Sequence, residues 1–237
     1  WTDVEQAWIA TEDWNACESD LTEEDLYGKL CYGGMDLARV NDLSACAYFF
    51  PKQEGLDKAT VIVDFFIPKE FLRERIDRDR VPYDMWAKHH NLILTEGKTT
   101  DWDFIKHSVL KHNGQFNIKE FGYDRHFAGE LVSSLEREGR TTKGFGMGFI
   151  SMGSPTAEFE RMVIGKEIQH LKCPILTWNI ANTIVSTDPA NNLKPDKAKS
   201  TDRIDGTVAV LIGLGMYLND DNKKEINPYK KRGLRML

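Results

Sequence analysis

A mixed α/β sheet with helices on both faces is the fold class this sequence predicts, on three observations. The runs CYGGMDL, LSACAYFFP and ATVIVDFFIP follow one another with short connections and are rich in apolar, β-branched and aromatic residues, which predicts an antiparallel meander of three strands. From Asn91 onward, strand-like and helical stretches alternate, the pattern of parallel strands joined by crossover helices. The last long apolar run, RIDGTVAVLIGLGMYL, has Ile204, Val208, Leu211, Ile212 and Gly215 at helical spacing, so it is expected to lie against the sheet.

The elements follow in order. VEQAWIATEDW has apolar residues at helical spacing, and SDLTEEDL offers a cap followed by acids, so the first 30 residues read as helix and connector. The first strand leads through the polar turn RVND into the second, and Pro68 ends the third. KEFLRERIDRD then reads as a charged amphipathic helix, and PYDMWAKHH as a short helix with Pro82 near its start. NLILTEG is a strand, DWDFIKHSVLKHN a helix, NIKEFGYD a strand and FAGELVSSLEREG a helix ending at Gly139. GFGMGFI reads as a further strand and SPTAEFERMVIGKEIQ as a helix; ILTWNIANTIVS and the polar TDPANNLKPDKAKS precede the final helix. The expected organisation is a helical connector at 1–30, one α/β unit at 31–220 and a basic tail at 221–237. Neither a repeat nor a low-complexity segment interrupts it.

Composition narrows the class. With 237 residues, 41% hydrophobic and 29% charged, the chain suits one large domain or two small ones and is not a disordered polymer. No apolar run approaches the roughly 20 residues of a membrane span, so no membrane partner is expected. The chain opens on WTDVEQAW without a signal segment, as an excised fragment would. Cys17, Cys31, Cys46 and Cys173 form no CxxC pair, and Cys31 and Cys46 lie in apolar runs, which points to core thiols in a reducing cytoplasm. The net charge of −6 argues at first against nucleic acid, but KPDKAKSTDR and KKEINPYKKRGLR are locally basic. A local patch, not the global sum, governs phosphate attraction over a Debye length of about 10 Å.

Three carboxylates stand at element ends. Asp36 closes the first strand, Asp124 closes NIKEFGYD on the same face as Gly122, and Asp205 lies in the first turn of the last helix. In an open α/β sheet, strand ends converge on a crevice. Acids gathered there repel one another unless cations neutralise them, and hard oxygen ligands select Mg²⁺ or Mn²⁺. Each acid has a structural reading too. Asp36 and Asp42 suit a hairpin turn, Asp124 beside Arg125 a paired loop acid, and Asp202 an N-cap with Asp205 favouring the helix dipole.

The same residues carry a family resemblance. CYGGMDLARVNDLSACAYFFP resembles the start of the nuclease domain of tailed-phage terminase large subunits, where a G-G-x-D-L strand precedes a D-L-[ST] strand. The likeness runs through VPYDMWAKHHNLILTEGKTTDWDFI and FGYDRHFAGELVSSLEREG to the long block ending in K-x-K-S-x-x-R-I-D-G, roughly Leu30 to Leu218. Met35 and Ala38 depart from it where other members carry Leu and Ser. The resemblance implies a ribonuclease H-like fold and places Asp36, Asp124 and Asp205 at the family's metal-binding acids. It implies an endonuclease that cuts double-stranded DNA during viral genome packaging, in the host bacterial cytoplasm at the procapsid. It also implies as partners the portal ring, the small terminase subunit and an ATPase motor. No G-x-x-x-x-G-K-[ST] loop occurs, GFGMGFISMGS lacking the Lys, so the 1–30 segment reads as the connector from a motor lying outside this sequence.

The expected chemistry is two-metal phosphodiester hydrolysis with Mg²⁺ or Mn²⁺, Asp36 bridging both ions and Asp124 and Asp205 holding one each. Lys194, Lys197, Lys199 and Arg203 are candidate DNA contacts, with Lys197 either positioning phosphate or offsetting developing charge. Asp202 is a reserve ligand or a cap, and His126 a candidate by proximity. His89 and His90 read as surface helix, and Trp178 as core rather than a base-stacking platform. Two other readings stay open: a different ribonuclease H-like enzyme such as a transposase, integrase or resolvase, and a non-catalytic module that grips DNA or docks on the portal.

Overall fold

The computed structural model of the chain describes residues 7–38, 43–89, 92–125 and 129–220. Asp42, His90, His126 and the basic 221–237 tail lie outside the described residues.

After a short helix α1 (Thr11–Asn15), strands β1 (Leu30–Asp36), β2 (Ser44–Phe50) and β3 (Ala59–Pro68) form the predicted antiparallel meander, with Met35 opposite Cys46 and Cys46 opposite Asp64. Helices α2 (Leu72–Asp79) and α3 (Tyr83–His89) lead to β4 (Leu92–Thr95), which runs parallel to β3. Then come α4 (Trp102–Gln115), β5 (Asn117–Asp124), α5 (Gly129–Arg137) and β6 (Thr142–Phe145). The chain continues through α6 (Phe149–Ile164), β7 (Ile168–His170), α7 (Pro174–Asn182), a hairpin of β8 (Val185–Thr187) and β9 (Leu193–Pro195), and α8 (Asp205–Leu218). Among the described residues the sheet order is β4-β3-β2-β1-β5-β6, with β7 parallel to the start of β3. The meander is antiparallel, and β4, β5, β6 and β7 extend it in parallel, as the alternation predicts, while β8 and β9 pair only with each other, antiparallel.

Every residue of β2 and β3 is buried, because both faces of the sheet are covered; this is why those strands read as unbroken apolar runs rather than alternating ones. Tyr32, Phe49, Val63 and Phe65 face α6, α7 and α8, while Met35, Tyr48, Phe50 and Phe66 face Ile105 and Val109 of α4 and Leu131 and Leu135 of α5. Helix α8 is buried from Asp205 to Met216. It lies between β1, β2 and β5 on one side and α6 and α7 on the other, so it is apolar all round.

Glycine sets how closely α8 approaches. A Cβ on Gly34 would fall 2.0 Å from the carbonyl oxygen of Ala209 and 2.4 Å from the amide nitrogen of Gly213. One on Gly122 of β5 would fall 2.6 Å from Ile212 Cγ2. Strand and helix backbones therefore touch at Gly34, and only glycine permits it.

Four local expectations differ from the structure, the first being that SPTAEFERMVIGKEIQ is not helical to its end: α6 stops at Ile164 and Ile168–His170 is strand β7. Among the described residues the N-terminal helical pattern VEQAWIATEDW yields only α1, because Ala10 is extended. Ile9 and Trp14 are buried instead in the main core, and the Trp14 indole donates to Thr177 Oγ1 at 3.1 Å; docking overrides local periodicity. GFGMGFI is not one strand. β6 ends at Phe145, Gly148 caps α6 in an extended conformation, and Phe149 already begins the helix. Asp202 is not the N-cap of α8: that position is Ile204, while Asp202 Oδ1 accepts from the Arg203 amide at 2.9 Å.

Candidate metal centre

β1 and β5 are parallel neighbours, with Gly34 beside Gly122 and Met35 beside Tyr123. One residue further along each strand, Asp36 and Asp124 stand at adjacent carboxyl ends. By alternation they share the face of Gly34 and Gly122, which is the face that carries α8. Because Gly34 lets α8 lie directly on β1, the first residue of that helix, Asp205, comes down beside Asp36. Asp36 and Asp205 are 6% and 5% exposed; Asp124 is half-buried.

The start of α8 is held by a residue that sequence reasoning passed over. Asn179 of α7 is fully buried, and its Oδ1 accepts from the Gly206 amide at 2.7 Å, satisfying one of the donors a helix N-terminus leaves unpaired. Thr183 ties the same corner together: its hydroxyl donates to the Asn179 carbonyl at 2.8 Å and makes a hydrogen-bond contact with the Thr207 hydroxyl at 3.1 Å. The one sequence signal was Asn179 in the mainly apolar run ILTWNIAN, which carries Thr177 and Asn182 as well.

Lys197 enters between the acids. Its Nζ lies 2.7 Å from Asp36 Oδ2 and donates to Asp205 Oδ1 at 2.9 Å. The lysine rides on the turn after β9, and Asp196 organises that turn. Asp196 Oδ1 accepts from the Ala198 amide at 3.0 Å and its Oδ2 from the Ser186 hydroxyl at 2.6 Å. Those hydrogen bonds, the Ser186 one foremost, hold the Asp196 carboxyl below its ordinary pKa. Burial raises the Asp36 carboxyl, the Lys197 ammonium opposes that, and Asp205 and Asp124 add to it; the net is a carboxyl pushed up to about 6. At Lys197, desolvation of the ammonium end is outweighed by the two carboxylates, and its pKa is raised.

The charges do not fully satisfy each other. Asp205 Oδ2 is buried with no hydrogen-bond partner, and Asp36 Oδ2 has the ion pair with Lys197 but no aligned hydrogen bond. Among the described residues, no three His, Cys, Asp or Glu side chains stand close enough together to enclose an ion. Asp36 and Asp205 are thus brought together around an ammonium. Asp124 is near enough to raise the Asp36 pKa without completing a three-acid cage.

The remaining candidates surround this point. Lys199 is exposed. Lys194, on β9, has its ammonium 5.1 Å from the centre of the Phe149 ring. Arg203 is held toward the core, its Nε 3.8 Å from Asp79 Oδ2, and burial lowers its pKa. Asp202 is half-buried, and burial raises its carboxyl. His89 is exposed at the end of α3. Trp178 packs against Tyr83 and Trp86 in the core, as expected. A separate buried acid, Asp64 of β3, points to the opposite face, where it accepts from Ser108 at 2.5 Å and lies 2.8 Å from His112 Nε2.

Comparison with known proteins agrees with this architecture. The family described as terminase large subunit, endonuclease domain, matches residues 1–221. The terminase large subunit of Enterobacteria phage HK97 is 32% identical over 186 residues, covering 78% of this chain and 36% of that protein. The crystal structure of the HK97 large terminase superposes with a TM-score of 0.79 at 30% identity, over 87% of this chain and 43% of that one. Protein YmfN of Escherichia coli K12 is 26% identical over 249 aligned residues, 99% of this chain and 54% of YmfN. The large terminase nuclease of thermophilic phage G20c is only 7% identical, with a TM-score of 0.50 over 81% of this chain and 95% of that one, a likeness of fold. The chain therefore spans between about a third and about half the length of the curated relatives it matches. The mixed sheet is the ribonuclease H-like fold of terminase nucleases, and the chain belongs to the terminase large subunit endonuclease domain family.

Proposed function

We propose that this domain is a metal-dependent endonuclease that hydrolyses phosphodiester bonds of double-stranded DNA during viral genome packaging, with Asp36, Asp124 and Asp205 holding two Mg²⁺ or Mn²⁺ ions. The observation that carries the reading is the buried pair Asp36 and Asp205, drawn together around positive charge while a carboxylate oxygen of Asp205 stays unpaired. An unpaired buried carboxylate oxygen is costly, and a cation relieves that cost. The donors are all oxygen, which fits a hard divalent ion. Because Mg²⁺ keeps water and phosphate ligands of its own, one or two carboxylates per ion suffice, and the lack of a closed three-acid cage does not conflict with the reading.

Within it, Asp36 is the shared ligand, with Asp124 on the strand side and Asp205 on the helix side. The bound ions would lower the pKa of the attacking water and neutralise charge on the leaving oxygen. Gly34, Asn179 and the α8 backbone hold Asp205 in register with Asp36. Lys199 and Lys194 are placed to hold the DNA backbone, whereas Arg203 braces the entry to α8 against Asp79. An ATPase motor, the portal ring and the small terminase subunit are the partners that belong with this activity, at the procapsid in the host cytoplasm. In this reading the nuclease unit is 31–220, with 1–30 as connector and 221–237 as a basic tail. Among the described residues no helix is long and apolar enough to cross a membrane.

The test is cleavage of supercoiled plasmid in Mg²⁺ or Mn²⁺ by Asp36→Asn and Asp205→Asn, each confirmed folded by thermal melting. Both are expected to lose nicking and linearisation. Full cleavage by either removes that residue from the mechanism. One observation favours a second reading: the Lys197 ammonium already bridges the acids, as in a structural ion pair of a DNA- or portal-docking module. That reading expects no divalent-ion binding by calorimetry and unchanged DNA affinity in both variants.

A further inference from the structure

We propose that Lys197 is an internal competitor for the metal site: its ammonium and a divalent ion shared by Asp36 and Asp205 exclude one another, so loading that ion requires Lys197 to move out. The inference rests on the metal-site reading above and adds a role for a residue that such chemistry does not require.

Geometry makes the exclusion. The Lys197 nitrogen sits at hydrogen-bond distance from one oxygen of each acid, 2.7 Å from Asp36 Oδ2 and 2.9 Å from Asp205 Oδ1. A Mg²⁺ ion takes the same kind of oxygen at about 2.0–2.1 Å. An ion ligated by both of these oxygens would therefore lie within about 4 Å of the nitrogen even on the far side of the pair, and closer on the near side. Two cations sharing those oxygens at that separation still repel one another, in a partly buried site, by many times the thermal energy.

The lysine is also built to leave. Its side chain is 52% exposed although both acids it touches are buried, so the ammonium has a path to solvent. Its turn is pinned through Asp196, by hydrogen bonds to Ala198, Lys199 and Ser186, so the side chain can swing while the turn stays. Its departure exposes two buried carboxylates whose charge a divalent cation is suited to neutralise. Once out, the ammonium is an unpaired positive charge at the rim, and a backbone phosphate of bound DNA is the anion suited to receive it. The three-acid site is therefore held closed by its own lysine until metal and phosphate replace both halves of the ion pair.

The experiment is Mn²⁺ titration, by calorimetry and by Mn²⁺ electron paramagnetic resonance, of the wild-type chain, Lys197→Met, Lys197→Gln and Lys197→Arg, without DNA. The two neutral variants are expected to bind Mn²⁺ about tenfold or more tightly than wild type, and Lys197→Arg to bind like wild type. Should Lys197→Met melt before assay temperature, Lys197→Gln carries the test. Unchanged affinity and stoichiometry in both neutral variants overturns the proposal. Asp36→Asn and Asp205→Asn separate the two levels. If these bind Mn²⁺ as wild type does, the metal-site reading falls and this inference with it. If they lose the ion while Lys197→Met and Lys197→Gln match wild type, only the competition is refuted.

Discussion

Gly34→Ala is a one-carbon change expected to cost both stability and cleavage, although the residue bears no functional group. The added Cβ would fall 2.0 Å from the Ala209 carbonyl oxygen and 2.4 Å from the Gly213 nitrogen. Both are helix backbone atoms, so no side chain can rotate out of the way, and α8 must lift from β1 by roughly 1 Å. Overpacking of this kind costs about 2–3 kcal/mol, a fall in Tm of about 4–12 °C for a domain of this size. The lift acts on the site because Asp205 is the first residue of the displaced helix and faces Asp36 across the same contact. A misplacement of about 1 Å between reacting groups costs on the order of a hundredfold in rate. Plasmid cleavage at saturating Mn²⁺, well below the melting temperature, should fall by about that factor. Gly114→Ala is the control: a Cβ there meets nothing within 4 Å, and Tm and cleavage should hold or improve slightly. A Gly34→Ala protein that melts and cuts like wild type would refute the claim that this backbone contact sets the geometry of the acids.

Further predictions follow from the same coordinates. Asn179→Ala removes the buried acceptor of the Gly206 amide, and denaturant unfolding should show a loss of about 1–3 kcal/mol; an unchanged midpoint contradicts the capping role. His170 is 1% exposed and stacked on Trp14 at 4.0 Å, and burial lowers its pKa from 6.5 against the opposing hydrogen bonds to Trp14 and Leu171. A depressed folded pKa means that the unfolded chain takes up the proton first, so this contribution to stability is complete above pH 6.5 and is lost as pH falls below it. Tm measured from pH 7.5 down to about 5 should decline less steeply in His170→Phe than in wild type, and parallel curves would exclude the residue. DNA binding by the isolated domain should be weak and fall steeply with salt in fluorescence anisotropy titrations. Lys199→Ala should lower the salt slope by about one; a tight, salt-insensitive complex contradicts phosphate-dominated contact.

The sheet was legible because its signals are local. Unbroken apolar runs in β2 and β3 marked strands covered on both faces, and strand–helix alternation marked the parallel half. Asp36, Asp124 and Asp205 stood out because each ends an element, and period-two spacing put Asp36 and Asp124 on faces that a sequence can assign. The parts that were not legible depend on contacts distant in sequence. The insertion of Lys197 between Asp36 and Asp205 is set by how Asp196 folds the turn after β9; the sequence marked Lys197 as a phosphate or charge partner but not as a bridge between the two acids. The cap on α8 comes from Asn179 on another helix, which is why the nearby Asp202 was the natural but mistaken choice. The N-terminal segment has helical periodicity, yet among its described residues up to Asn15 the helix spans only Thr11–Asn15, with Ile9 and Trp14 buried in the core. In GFGMGFI the spacing of glycine and phenylalanine suits a strand; the chain instead turns at Gly146–Gly148 and spends Phe149 on the next helix.

The most direct test of the central claim is anomalous diffraction at the manganese edge from crystals soaked in Mn²⁺. The account predicts anomalous density bounded by the carboxylates of Asp36, Asp124 and Asp205, with the Lys197 ammonium withdrawn from between Asp36 and Asp205. Manganese bound elsewhere, or a Lys197 bridge intact beside acids that take no ion at saturating Mn²⁺, would contradict it.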